Sequence, residues 1–117
     1  MSHVLLVDVD LFFRAKIDAM LSREGHTVTT SPDERRPDLV IADVGRADPD
    51  AVVAAHPGVP VLGFGAHTDP ARLRAARAAG FAKAVARSTL AADLPRLVDD
   101  LARYTPAPRR KRPGGSE

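Results

Sequence analysis

The chain has 117 residues, 44% of them hydrophobic, which is enough for one domain with its own core and leaves little for a second. It contains no cysteine, which excludes a disulfide framework and thiolate metal sites and agrees with a reducing compartment. Of the 17 basic residues, Arg109, Arg110, Lys111 and Arg112 lie in the closing segment with the acidic Glu117, leaving 13 basic and 14 acidic residues in 1–104, so the net charge of +2 gives the body of the chain no general affinity for nucleic acid.

The first strand is read in Val4, Leu5, Leu6 and Val7, a continuous apolar run ending at Asp8, as expected where a parallel sheet is covered on both faces. The chain shows no basic leader, cleavage site or long apolar stretch, so a cytoplasmic location without membrane contact is expected. Between Leu11 and Glu24 the period changes. Phe13, Ile17, Met20 and Leu21 share a helical face, Asp10 can cap the start and Gly25 stops the helix. Strands follow at His26–Thr30, Asp38–Asp43 and Val59–Phe64. The next helix is capped by Thr68 or Asp69, with Pro70 in its first turn and Gly80 at its end. A fifth strand covers about Lys83–Ala86. Leu94, Leu97, Val98 and Leu101 form the stripe of a last helix, and because proline breaks a helix interior, Pro95 places its start near Asp93 or Leu94, with Ser88–Ala92 as a turn. Residues 105–117, with three prolines and a charge block, read as a disordered tail to a 1–104 domain.

Strands and helices alternate with short connections, which implies an α/β fold with a parallel sheet and right-handed crossovers. In order and spacing, Val7-Asp8, the run from Pro37 to Asp43, Pro60-Val61-Leu62 and the Ala79-Gly80 pair resemble the receiver domains of bacterial response regulators. The resemblance spans about Val4 to Tyr104. It implies a flavodoxin-like five-stranded sheet of order 2-1-3-4-5, with the site at the carboxyl ends of the strands. It also implies a two-component (phosphorelay) signalling module that acts through a protein partner, a kinase or an effector. The family's second helix finds no room, since only Ser31–Arg36 cross between the second and third strands, and about 3.3 Å per residue suffices only if little of that segment is helical. The third helix is shortened to about Asp50–Ala55. Thinning that face is expected to uncover apolar residues among Val28, Val40 and Ala42 and to favour a homodimer.

By the same resemblance Asp43 stands in the phosphoacceptor position, and Mg²⁺ would be held by Asp8 and Asp43, with Asp10 reaching it through water unless it only caps the helix. Val9 stands where the family has a second acid. The phosphoryl-contact positions are Gly65 in place of a hydroxyl residue, Ala66, and Arg87 in place of lysine. Ser88 replaces a proline, and Ala84 an aromatic switch residue. A site so depleted is expected to hold Mg²⁺ weakly and to be phosphorylated weakly or not at all. A pseudo-receiver is the reading that results.

The alternative is a small-anion or metabolite-binding flavodoxin-like protein or enzyme using a pocket between Asp8, Asp43 and Gly65. No nucleophile with a paired base is visible, so no catalytic residue is assigned and enzymatic activity is not expected. Gly63-Phe64-Gly65 lacks the third glycine and following acid of a dinucleotide fingerprint. His3, His26, His56 and His67 have no ligand spacing, although His67 stands near the expected site mouth. Arg72, Arg74, Arg77 and Arg87 give one end a positive cast that suits either a partner surface or a solvated face. The four basic residues at 109–112 would bind nucleic acid only weakly and without sequence specificity.

Overall fold

A computed structural model describes residues 2–31 and 36–102. The tail at 105–117 and part of the crossing between the second and third strands lie outside the described residues. Five strands, β1 (His3–Val7), β2 (Thr27–Thr29), β3 (Leu39–Asp43), β4 (Val61–Gly65) and β5 (Lys83–Ala86), form one parallel sheet of order β2-β1-β3-β4-β5. Leu5 pairs with Thr29 on one side and Val40 on the other, and Asp43 lies beside Phe64, so the β1, β3 and β4 ends share one edge.

Side chains alternate across the sheet. Val4, Leu6, Leu39, Ile41, Leu62 and Phe64 face α1 (Leu11–Arg23) and α4 (Arg87–Ala102). Leu5, Val40, Ala42 and Val61 face the shorter α2 (Pro49–Ala55) and α3 (Pro70–Ala79). The caps form as the sequence indicates. Asp10 accepts from Phe13 N–H at 2.9 Å, Asp69 accepts from Arg72 N–H at 3.4 Å, and Gly80 closes α3 at φ 118°, a left-handed conformation that favours glycine. β3 begins one residue late because Asp38 turns its carboxylate back to accept from His3 N–H at 2.8 Å.

Two expectations are corrected. α4 starts at Arg87, directly after β5, and carries Pro95 in its interior, so Ser88–Ala92 is helix and not a turn. An interior proline costs about 3 kcal/mol. The early start buries Leu90 completely, worth roughly 1.5–3 kcal/mol, and adds more than a turn of backbone hydrogen bonds. The expected apolar exposure is also absent. Val40 and Ala42 are fully buried and Val28 packs on the α1 side, while Thr27 and Thr29 are the β2 side chains on the thinned face. No helix is described between β2 and β3, and a threonine-faced edge strand needs little cover there. The thinned face therefore offers no apolar basis for a homodimer among the described residues. Their large exposed hydrophobic side chains are Leu11 and Phe12, at the start of α1. No described helix is long and apolar enough to cross a membrane.

Candidate functional site

The carboxyl ends of β1, β3, β4 and β5 meet at one edge, and Arg87, the first residue of α4, reaches across it. Its guanidinium lies 3.3 Å from Asp10 Oδ2 and 3.3 Å from Asp43 Oδ2, donating to both. The same group stacks over the rings of Phe13 and Phe64, 4.8 and 5.1 Å from their centroids, and those rings touch each other at 4.9 Å. The sequence places Arg87 at this site, in the lysine position, but not its bridge between Asp10 and Asp43, because residues 10, 43 and 87 converge only once the sheet is assembled.

Each carboxylate has its second oxygen engaged. Asp43, 5% exposed, accepts from Gly45 N–H through Oδ1 at 2.9 Å, while its backbone carbonyl accepts from Ala47 N–H. It thus organises the turn into α2. Asp10 uses Oδ1 as the helix cap. The Phe13 N–H bond, then the Arg87 hydrogen bond and charge, with a smaller contribution from Arg46, hold its carboxyl below the ordinary carboxylate range against an opposing desolvation effect.

The remaining site positions diverge. Val9 is buried in the core beneath α1 and α4. Asp8 adopts φ 57°, left-handed for a non-glycine residue, and its exposed side chain opens on a separate cavity with Arg14, Thr30 and Arg46. Gly65 is buried, and a Cβ there would meet Val44 Cγ2 at 2.7 Å, so valine methyls occupy the space beside the hydroxyl position. Ala66 is exposed and accepts from Asp69 N–H. Gly63 and Gly65 lie within β4, not in an anion-binding loop, and Ala84 is buried beside Gly63. His67 is exposed. In the basic end, Arg77 donates to the Ala84 carbonyl and Arg72 pairs with Asp69.

These residues do not fit Mg²⁺. The ion requires a near-octahedral set of oxygens, whereas Asp10 and Asp43 are bridged by a guanidinium, Val9 between Asp8 and Asp10 offers no oxygen from its side chain, and no cluster of three or more metal-ligating side chains occurs among the described residues. The structure brings Asp10, Asp43 and Arg87 together but does not gather Asp8, Asp10 and Asp43 as one ligand set. Of the residues expected to frame a shared pocket, Asp43 and Gly65 are buried, whereas Asp8 lines a cavity with Arg14, Thr30 and Arg46.

No protein-family model matches the sequence, and no curated protein does. Solved structures match in fold. The receiver domain of NtrX from Brucella abortus superposes with a TM-score of 0.75 at 24% identity, over 87% of this chain and 99% of that one. A response regulator from Thermotoga maritima gives 0.73 at 16%, over 87% and 98%. Against a longer NtrX chain from B. abortus the score is 0.74 at 24% identity, and the match spans 26% of that chain. The chain has the fold of response-regulator receiver domains.

Proposed function

We propose that the protein is a pseudo-receiver: a two-component signalling module that acts by binding another protein, with Asp43 in the phosphoacceptor position and little or no phosphorylation there. The Arg87 bridge carries this reading. Phosphorylation would require an Asp43 carboxylate oxygen to attack the phosphorus of an acyl phosphate, forming an acyl-phosphate bond as the donor's carboxylate leaves. Asp43 is instead nearly buried, with one oxygen held by Gly45 N–H and the other by Arg87. The transferring group would gain no metal from this residue set and no hydroxyl from Gly65. Binding rather than catalysis also agrees with the lack of a nucleophile and base in sequence. Leu11 and Phe12, 66% and 87% exposed beside the site, supply an apolar contact for a protein partner. A location in the cytoplasm is part of this reading.

The test is intact mass after incubation with a small acyl phosphate and Mg²⁺. Wild type is expected to remain unmodified. A rapidly formed phosphate adduct, abolished by Asp43→Asn, would overturn the pseudo-receiver reading and make this a phosphorylated receiver.

A further inference from the structure

The cavity that receives Asp8 involves neither Asp43 nor Arg87. It has a volume of about 290 Å³ and is lined by Leu6, Asp8, Val9, Arg14, Thr30 and Arg46. These come from the end of β1, the first turns of α1, the residue after β2 and the turn between β3 and α2. A second hollow of about 350 Å³ along α1 and β2, lined by Asp18 among others, adjoins this crevice at Arg14 and Thr30. That is room for a ligand larger than a bare ion.

Three features give the crevice a chemistry. Arg87, Arg72 and Arg96 are in ion pairs, whereas neither Arg14 nor Arg46 makes one among the described residues. Two arginines outside any ion pair, of which Arg46 acts on Asp10 only at longer range, line the cavity with Thr30 and supply donors of the kind that bind the oxygens of a phosphate group. Asp8 is turned into the same space by a left-handed backbone that costs a non-glycine residue on the order of 1 kcal/mol, a kind of strain that concentrates where side chains are aimed at ligands. Its carboxylate repels a phosphate placed against it and accepts a hydrogen bond from a neighbouring hydroxyl. Leu6 and Val9 are buried in the core, so the surface the cavity presents is almost wholly polar.

We propose that this crevice binds a small phosphate ester that carries a hydroxyl group, with Arg14, Arg46 and Thr30 on the phosphate and Asp8 on the hydroxyl. The probes are inorganic phosphate, glycerol 3-phosphate and glycerol, titrated into the full chain in phosphate-free buffer and followed by amide NMR. Saturable shifts are expected at Asp8, Val9, Arg14, Thr30 and Arg46, with glycerol 3-phosphate binding several-fold tighter than phosphate and glycerol not binding. Arg14→Gln/Arg46→Gln should weaken glycerol 3-phosphate by about tenfold or more, the scale of a lost charge-assisted contact. Asp8→Asn should tighten inorganic phosphate and shrink the advantage of the ester, a reversal that general destabilisation would not produce. The proposal is overturned if neither phosphate probe gives saturable shifts, if the shifts centre on Arg72 or Arg87, if the double variant binds unchanged, or if the ester has no advantage over phosphate. Each of these results leaves the Asp43 reading standing, because that reading is tested by mass and not by this titration.

Discussion

At the carboxyl edge of the sheet, two neighbouring groups of acids and arginines have opposite fates. On the β3 side Arg87 donates to Asp10 and Asp43 and stacks on two phenylalanines, so charge is matched within the chain. On the β2 side Arg14 and Arg46 line a cavity with Asp8 and form no ion pair among the described residues. Composition hardly differs between them. Position does: Arg87 leaves β5 directly into α4, which points its side chain over the site, whereas Arg46 sits in an exposed turn and Arg14 flanks the edge strand. A cation supplied from within bridges the acids on one side, while the other side keeps a cavity.

The strongest way to break this contrast is to rebuild the missing acid. Val9→Asp places a carboxylate in the α1/α4 core, where Val9 is 8% exposed, and should destabilise the fold by roughly 2–4 kcal/mol without creating a metal site. Urea unfolding with and without Mg²⁺ checks this, and unchanged stability together with Mg²⁺-dependent protection would show that the edge can still be a metal centre. Gly65→Thr comes next. Its Cβ would overlap Val44, costing about 1–3 kcal/mol, and Val44→Ala should recover part of the loss in a double-mutant cycle. If the two costs simply add, the packing account of Gly65 fails.

Arg87→Ala should cost about 1–2 kcal/mol, because its side chain is 44% exposed and each ion pair is correspondingly screened. Arg87→Lys should fall between it and wild type, since an ammonium keeps the charge but loses the planar bridge and much of the stacking. Equal melting temperatures for all three would separate the bridge from stability. Acid adds a smaller effect with a definite sign. Folding lowers the Asp10 pKa, so its contribution is complete above the ordinary carboxylate value and is lost as pH falls through the folded value. Stability measured between about pH 5 and pH 2 should therefore decline less in Asp10→Asn than in wild type. The smallest change is expected on the open side, where Arg14→Gln/Arg46→Gln should stay within about 0.5 kcal/mol of wild type in urea. A larger loss would mean these arginines serve the fold.

Much of the architecture could be read locally. Continuous apolar runs mark central strands, and Asp10, Asp69 and Gly80 announce their helix ends, because a cap bonds within a few residues of itself. The residue types at Val9, Gly65 and Arg87, on which the proposed reading rests, were legible too. Pro95 misled because local backbone chemistry opposes a helix there, while Leu90 and Leu94 bury against strands far away in sequence. The inferred apolar exposure failed for a related reason: strand period says which residues share a face, but α2, α3 and their partners decide what covers Val40 and Ala42. Strand and helix order, the caps and the residue types at the carboxyl edge all follow from local sequence. That Arg87 stands between Asp10 and Asp43, and that Arg46 joins Asp8 in one cavity, followed from the assembled sheet alone, because those encounters join residues dozens of positions apart through sheet register and helix placement.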